Sequence, residues 1–198
     1  DRIGAEGVLL GHDTRFGRGA RGDFALLKKL ADQWSFQTCS VPVVEVDGRP
    51  VSSTRLRAAI REGDLALAER LLGRRVSVFG TVIHGTGRGK GLGMPTANLD
   101  LCHEVRPPEG VYATRAFVNG KWRDSVTNIG RPPTLSANGP ALLSGEAVVE
   151  THVFDLQEDL YGKDMEIQFL SRLRPEKLFR SREELMRQMT EDARRARE

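Results

Sequence analysis

From Arg74 to about residue 170 the chain consists of short β-branched and aromatic runs separated by glycine and proline, and this pattern constrains the fold most. Two runs alternate with a period of two residues, as strands with one buried face do. The apolar residues that share a face are Val76, Val78 and Val82 in one run, and Met165, Ile167 and Phe169 in the other. Five or six such strands with intervening loops predict an antiparallel barrel.

A helix is predicted after these strands, at the end of the chain. Ser181 and Glu184 form a capping box, which is typical of a helix N-terminus. The residues that follow place a set of apolar side chains on one helical face, namely Leu185, Met189, Ala193 and Ala196. The predicted second domain, residues 74–198, is therefore mainly β with a C-terminal helix.

Residues 1–73 have a different pattern, in which predicted strands and helices alternate. The order is a strand over "GVLLG", a helix capped by Asp23, a strand over "QTCSVPVVEV" and two short helices. The first of these two helices ends at Gly63, and the second is capped by Asp64 and ends at Gly73. Alternation of this kind indicates an α/β segment. We therefore expect a domain boundary near Gly73, with residues 1–73 forming the first domain.

Composition excludes several classes of protein. Of the 198 residues, 39% are hydrophobic and 29% are charged, which is typical of a globular protein rather than a disordered one. The net charge of +3 is the difference between 30 basic and 27 acidic residues, so no nucleic-acid partner is indicated. We find no apolar run of membrane-spanning length and no signal-peptide pattern. With only two well-separated cysteines, Cys39 and Cys102, these features predict a cytoplasmic protein.

The stretch "HGTGRGKGLGMPTAN", residues 84–98, is the first candidate site. Closely spaced glycines let backbone amides approach a phosphate, and two basic side chains add positive charge. The candidate phosphate-binding residues are Gly85, Gly87, Arg88, Gly89, Lys90, Gly91, Gly93, Pro95, Thr96 and Asn98. Neither the P-loop order nor the dinucleotide fingerprint is present, and a flexible hairpin loop is the alternative.

Pro95, Thr96 and Asn98 end this stretch and suggest a metal site. If the segment is extended, Thr96 and Asn98 point the same way, because they are two residues apart. Their hydroxyl and amide oxygens are neutral hard ligands, which suit a Mg²⁺ ion already bound to phosphates. The alternative is that both side chains bond to nearby backbone, as such residues do in turns.

The run "EAVVETHVFD" is the second candidate site. Glu146, Val148, Glu150, His152 and Phe154 share one strand face, so carboxylates and a histidine alternate with apolar groups. A carboxylate held by a sheet is a suitable general base for a hydroxyl, and Glu150 is the candidate. The alternative is the solvent face of an edge strand.

Two further segments could bind anions. "SSTRLR" places Ser52, Ser53, Thr54 and Arg55 at a predicted helix N-terminus, where phosphate is favoured, although a well-capped surface helix explains it equally. "GHDTRFGRGARGD" is rich in glycine and arginine and could line a phosphate pocket or form a long loop.

Several of these motifs together resemble a known family. "GRGKGLGMPTANL", "GVYA", "TNIGRPPT", "VETHVFDLQEDLYG" and "LRPEKLF" resemble, in order and spacing, the riboflavin kinase domain of bacterial bifunctional riboflavin kinase/FMN adenylyltransferases, the FAD synthetases. The resemblance covers about residues 74–197. "GHDTRFGRGARGD" and "VSSTRLRAAIREGD" are similar to the last part of the adenylyltransferase domain of the same proteins.

The resemblance implies a fold and a set of roles. The fold is a six-stranded antiparallel Greek-key barrel with a C-terminal helix, preceded by a partial α/β nucleotidyltransferase-like segment. The implied substrates are ATP and riboflavin, with FMN as product and Mg²⁺ or another divalent metal as cofactor. The resemblance places ATP under the Gly-rich loop, so the candidate phosphate-binding residues above become the expected ATP-binding residues. Thr96 and Asn98 take the metal role, Glu150 is the catalytic base, and Arg194 is a candidate flavin contact. No nucleic acid or membrane partner is implied, and the sequence does not give the oligomeric state.

One departure from the family affects the first domain. The "HxGH" signature of the adenylyltransferase is absent, since none of the four histidines has that spacing. We therefore expect a riboflavin kinase and do not expect adenylyl transfer by this chain alone. The alternatives are a full bifunctional FAD synthetase, if the chain is a piece of a longer protein, and a flavin- or nucleotide-binding module without turnover.

Overall fold

The computed structural model describes residues 4–85, 93–101, 104–130 and 147–198. The chain divides into two compact units, residues 4–52 and residues 53–198, which are described separately below. The domain boundary predicted near Gly73 stays a prediction. In the described ranges no helix is long and apolar enough to cross a lipid bilayer.

The first unit contains a two-stranded parallel sheet and one helix, as the alternating pattern predicts. Strand β1 (Gly7–Gly11) pairs with β2 (Gln37–Val41), and helix α1 (Phe24–Trp34) connects them. Asp23 caps α1, because its side chain accepts a hydrogen bond from the backbone N–H of Leu26 at 2.9 Å. A short hairpin, β3 (Glu45–Val46) and β4 (Arg49–Pro50), ends the unit.

The second unit begins with the two predicted helices, α2 (Ser53–Glu62) and α3 (Leu65–Leu72). Asp64 caps α3 by accepting from the N–H of Leu67 at 2.9 Å. Gly73 ends α3 in the left-handed conformation, with a φ of 69°, where glycine has no steric penalty. These start and stop signals are therefore confirmed.

Six antiparallel strands form the closed barrel that the resemblance implies. They are β5 (Ser77–Ile83), β6 (Ala97–Leu101), β7 (Gly110–Val118), β8 (Lys121–Gly130), β9 (Val148–Val153) and β10 (Asp164–Arg174). Their order around the barrel is β10-β5-β6-β9-β8-β7, so β6 pairs with β9 rather than with β7. This non-sequential order is characteristic of a Greek key, and it leaves no unpaired strand edge.

The barrel interior is apolar with one polar seam. The predicted faces are confirmed, since Val78 and Ile167 are almost fully buried and Tyr112 packs edge-on against Phe169. The seam is a chain of buried hydroxyls that runs from Ser125 through Thr114 and Thr127 to Thr151, with each oxygen pair 2.8 Å apart. These bonds satisfy groups that would be costly to bury unpaired, and they link β7, β8 and β9 inside the barrel.

Helix α4 (Arg182–Ala196) packs against the outer wall of the barrel. Ser181 caps it by accepting from the N–H of Glu184 at 3.2 Å, as predicted. The C-terminal half of the predicted apolar face, Ala193 and Ala196, belongs to a cluster with Ala113 and Phe154. The N-terminal half of that face, Leu185 and Met189, lines a cavity instead.

An ion pair joins α4 to the last barrel strand. Arg174 on β10 donates to both carboxylate oxygens of Asp192 at 2.8–3.1 Å, and the Asp192 side chain is only 4% exposed. Gln188 donates a further hydrogen bond to the same carboxylate at 2.9 Å. A buried carboxylate with this many donors is stable in place, whereas removal of one partner leaves an uncompensated charge.

We predict that Asp192→Ala lowers the free energy of unfolding by about 3–5 kcal/mol, because Arg174 then stays mostly buried without its counter-ion. Chemical denaturation measures the change. The matched control is Glu191→Ala, one residue earlier on α4, whose partner Arg194 is exposed. This control should leave stability nearly unchanged. Equal losses in the two variants would contradict the prediction.

Candidate active site

Three polar residues lie side by side across the outer face of the barrel. Glu150, at the middle of β9, is directly opposite Asn98 on β6 and directly opposite Asn128 on β8. Residues in this register share a face, with their Cβ atoms roughly 5 Å apart. The strand order therefore places a carboxylate between two carboxamides, although the three residues are far apart in sequence.

A cavity of about 260 Å³ lies over this row, between the barrel wall and α4. Glu150, Asn128 and Thr96 belong to its lining, whereas Asn98 does not. The lining comprises Met94, Thr96, Val111, Val126, Asn128, Glu150, His152, Arg174, Glu176, Lys177, Phe179, Leu185, Met189 and Asp192. Glu150 and His152 are half-buried, so their face of β9 is not a fully solvated surface.

A second cavity, of about 520 Å³, lies on the other side of the segment that contains Thr96. Its lining comprises Val82, Pro95, Thr96, Ala97, Thr151, Val153 and residues 156–161. Tyr161 in this wall stacks on the imidazole of His84, with ring centroids 3.7 Å apart. Because Thr96 belongs to both linings, it lies where the two cavities meet.

The lining of the first cavity includes a second carboxylate, that of Glu176. Glu176 accepts a hydrogen bond from the Asn128 amide at 3.3 Å. A methyl group at Gly130 would overlap this carboxylate, so Gly130 leaves the space that Glu176 occupies. The carboxamide of Asn128 therefore lies between Glu176 and the strand that carries Glu150.

Positive charge in the same cavity comes from β10 and the segment that follows it. The guanidinium of Arg174 lies 5.6 Å from the ring centre of Phe179, and the Lys177 ammonium lies 4.9 Å from the same ring. Arg174 is already paired with Asp192, and Lys177 is 3.5 Å from Glu184. Among the described residues, no group of three or more His, Cys, Asp or Glu side chains is arranged to hold a metal ion.

The structure brings part of the predicted site together. Thr96 and Glu150 line one cavity, and Asn98, 8% exposed, pairs with Glu150 across the strands. Pro95 lines the second cavity. Gly93 lies in a turn just before Pro95 and Thr96. The predicted ATP-binding residues Gly87, Arg88, Gly89, Lys90 and Gly91, together with Glu146, lie outside the described residues.

Other predicted residues lie elsewhere. Arg194 is on the exposed side of α4, where it bonds to Glu191 at 2.7–2.9 Å and pairs with Glu198, and these carboxylates raise its pKa. Its role as a flavin contact stays a prediction. Ser52 ends the first unit, while Ser53, Thr54 and Arg55 begin α2, and neither cavity lining includes them.

Gly85 has a physical reason to be glycine that the motif alone does not reveal. A methyl group at this position would overlap the carboxamide of Asn98. Gly85 thus leaves room for the Asn98 side chain beneath the start of the Gly-rich segment. The sequence predicts a phosphate-binding role for Gly85, whereas this contact depends on the absence of a side chain.

Sequence reasoning assigned no role to Asn128, Arg174, Glu176 or Asp192. Asn128 lies in "TNIGRPPT", and Arg174 and Glu176 lie in "LRPEKLF", whereas Asp192 lies in the C-terminal helix outside the quoted motifs. Strand neighbours cannot be inferred from spacing alone. The pattern of β8 indicates that Asn128 faces outward, since Thr127 and Ile129 are fully buried. Its alignment with Glu150 depends on the pairing of β8 with β9.

The fold and this site define a β-barrel that can bind a small molecule over a row of amide and carboxylate groups. Residues 72–198 match the family model described as riboflavin kinase, and residues 1–55 match the model described as FAD synthetase. The chain therefore belongs to the riboflavin kinase family, and it carries in addition an FAD synthetase segment.

Named relatives agree with this assignment. The chain is 38% identical over 192 residues to a bifunctional riboflavin kinase/FMN adenylyltransferase of Escherichia coli K12, covering 96% of this chain and 59% of the relative. It is 36% identical over 197 residues to the Pseudomonas fluorescens protein of the same name, covering 100% and 61%. The chain thus spans about three fifths of the length of these curated relatives.

A solved structure also resembles the chain. The crystal structure of a protein described as a macrolide-efflux protein from Streptococcus pneumoniae matches with a TM-score of 0.73 and 31% identity. The match covers 94% of this chain and 58% of that one.

We predict that Gly85→Ala displaces the Asn98 carboxamide and destabilises the second unit by about 1–3 kcal/mol, as overpacking does. Side-chain amide resonances of Asn98 and thermal unfolding measure the two effects. Gly7→Ala is the control, because the added methyl meets Gln37 at an ordinary 3.5 Å. An unchanged Asn98 resonance in Gly85→Ala would show that this glycine does not set the position of the side chain.

Proposed function

We propose that the chain is an ATP:riboflavin 5′-phosphotransferase, which transfers the γ-phosphate of ATP to the ribityl 5′-hydroxyl of riboflavin to give FMN. The observation that carries the proposal is that Glu150 and Thr96 line one cavity in a chain of the riboflavin kinase family. The pairing of Glu150 with Asn98 adds support, since it brings the candidate base and a candidate metal ligand together.

Two adjoining cavities suit a reaction between two substrates. The first cavity has apolar walls, including Leu185 and Met189 on α4, and suits the flavin ring as acceptor. The second cavity contains Tyr161, on which a nucleotide base can stack, and suits ATP. Thr96 belongs to both linings, so the transferred phosphoryl group would pass beside it.

Glu150 is the proposed general base. The ribityl hydroxyl loses its proton to the Glu150 carboxylate while its oxygen bonds to the γ-phosphorus. The bond from this phosphorus to the β,γ-bridging oxygen breaks, and ADP leaves. The pairing of β9 with β6 and β8 fixes the backbone that carries the base, so little motion is needed to reach the reacting geometry.

Thr96 and Asn98 are the proposed ligands of a divalent cation, in agreement with their neutral hydroxyl and amide oxygens. A cation bound there would offset negative charge on the transferred phosphoryl group. The backbone of β6 holds Asn98 opposite Glu150, so the base and this candidate ligand stay in register.

We predict that Glu150→Gln retains riboflavin and ADP binding but lowers kcat by at least about 100-fold, because the amide cannot accept the proton. Single-turnover kinetics and calorimetry measure the two quantities. Glu166→Gln is the matched control, since Glu166 lies opposite Phe79 and Phe117 and is absent from both cavity linings. If Glu150→Gln has a kcat near that of the unsubstituted chain, Glu150 is not the base.

We predict that Thr96→Val raises the Mg²⁺ concentration needed for half-maximal rate by about 10-fold or more, because valine has similar shape and no ligand oxygen. Rates measured over a Mg²⁺ titration at saturating ATP provide the test. The matched control is Thr81→Val on β5, whose hydroxyl bonds to Asp164 outside both cavities. An unchanged Mg²⁺ dependence in Thr96→Val would remove this residue from the metal site.

A second candidate function is that of a bifunctional FAD synthetase, favoured by the FAD synthetase match over residues 1–55 and by the names of the relatives. One assay separates the candidates. The chain is incubated with riboflavin, ATP and Mg²⁺, and the flavins are separated by chromatography. FMN alone supports the kinase, FAD supports the bifunctional enzyme, and unchanged riboflavin with measurable binding supports a non-catalytic module.

A further inference from the structure

A histidine on β9 bonds to the backbone of the segment that separates the two cavities. Nδ1 of His152 lies 2.8 Å from the carbonyl oxygen of Pro95. His152 is two residues beyond Glu150, on the same outer face of the strand, and it lines the first cavity. Its ring also makes an edge contact with Phe154, with centroids 5.5 Å apart.

This bond determines which ring nitrogen carries the proton. A carbonyl oxygen only accepts, so Nδ1 of His152 must donate, and in the neutral ring Nε2 is then unprotonated. Pro95 has no N–H, so its carbonyl is its one backbone group that can be held by a hydrogen bond. That carbonyl belongs to the planar peptide unit that includes the nitrogen of Thr96.

The sheet itself does not reach this peptide. Pairing between β6 and β9 begins at Ala97, opposite Thr151. Met94 and Thr96 line the first cavity, while Pro95, Thr96 and Ala97 line the second, so this short segment is the wall between them. The imidazole of His152 therefore holds this segment just outside the region where β6 and β9 are paired.

We propose that His152 is a positioning residue that fixes Thr96 between the two cavities through its Nδ1–H bond to the Pro95 carbonyl. The inference rests on the proposed kinase function, because it gives Thr96 a role at the transferred phosphoryl group. His152 acts on Thr96 through the peptide plane. Its loss therefore alters how Thr96 meets a nucleotide-bound cation more than how the acceptor binds.

Three substitutions separate positioning from bulk packing. In His152→Asn the amide nitrogen lies close to the position of Nδ1 and can donate to Pro95. In His152→Gln the amide reaches instead toward the position of Nε2, and His152→Leu removes the donor. We expect His152→Gln and His152→Leu to lower kcat and raise the Mg²⁺ requirement by about 10- to 100-fold, a larger factor than the change in the riboflavin KM, because His152 also lines the acceptor cavity. We expect His152→Asn to keep kcat and the Mg²⁺ requirement within about threefold of the unsubstituted chain.

Each outcome of these substitutions either supports or overturns the proposal. Activity kept in His152→Asn but lost in His152→Gln and His152→Leu supports it. The proposal is overturned if His152→Asn is as impaired as His152→Leu, if all three variants behave like the unsubstituted chain, or if only the riboflavin KM changes. Circular dichroism and the thermal midpoint identify variants that fail to fold. If a variant fails to fold, the imidazole spectrum of the unsubstituted chain decides instead.

A measurement without turnover distinguishes failure of this inference from failure of the kinase proposal. Imidazole ¹⁵N spectra of the unsubstituted chain, recorded at alkaline pH where histidines are neutral, should show His152 as the Nδ1–H tautomer. Its resonances should shift when Mg²⁺ and ADP are added. An Nε2–H tautomer overturns the positioning bond even in an active kinase. If the chain makes no FMN, the kinase proposal fails, and this spectrum still tests the bond.

Discussion

The pairing of β9 with β6 on one side and β8 on the other is the constraint on which the candidate site depends. Side chains alternate across a strand, so a shift of one residue would turn Glu150 into the barrel and Thr151 out of it. The interior hydroxyl chain opposes such a shift, because Thr151 bonds to Thr127 at 2.8 Å and both are fully buried. Burial of Glu150 without such partners would be costly. Barrel closure therefore determines where the carboxylate lies.

Helix α4 and the outer wall of the barrel together enclose the first cavity. Ala193 and Ala196, near the end of the helix, allow it to pack closely on the barrel, while Leu185 and Met189 line the cavity together with Glu150 and Asn128. The Arg174–Asp192 pair holds the C-terminal half of the helix, and the end is held by Arg197, which bonds to Asp155 at 3.1–3.2 Å and lies over the Phe154 ring. Both attachments hold the C-terminal part of α4, whereas its preceding part lines the cavity through Leu185 and Met189. The shape of the cavity therefore depends on how α4 is fixed.

Much of the local structure follows from the sequence. The capping residues Asp23, Asp64 and Ser181 were predicted and act as caps, because a cap needs only residues within one helical turn. The alternating strands were also predicted, although β6 did not emerge from the pattern. The first residues of β6, Ala97 and Asn98, have the pattern of the end of a Gly-rich loop, and the apolar run that follows is short. That segment is a strand because β5 and β9 supply partners on both sides.

The amino-acid sequence alone indicated the barrel class, the caps, the strand face that Glu150 shares with His152 and, through the ordered motifs, the family. Three contacts emerge only in the folded chain: Asn128 lies beside Glu150, Asp192 pairs with Arg174, and His152 bonds to Pro95. The physical reason is the distance along the sequence between the residues that make contact. A cap or an alternating face is specified by neighbours along the chain, whereas these contacts join residues on different elements, and they exist only once six strands have closed and a helix has packed on them.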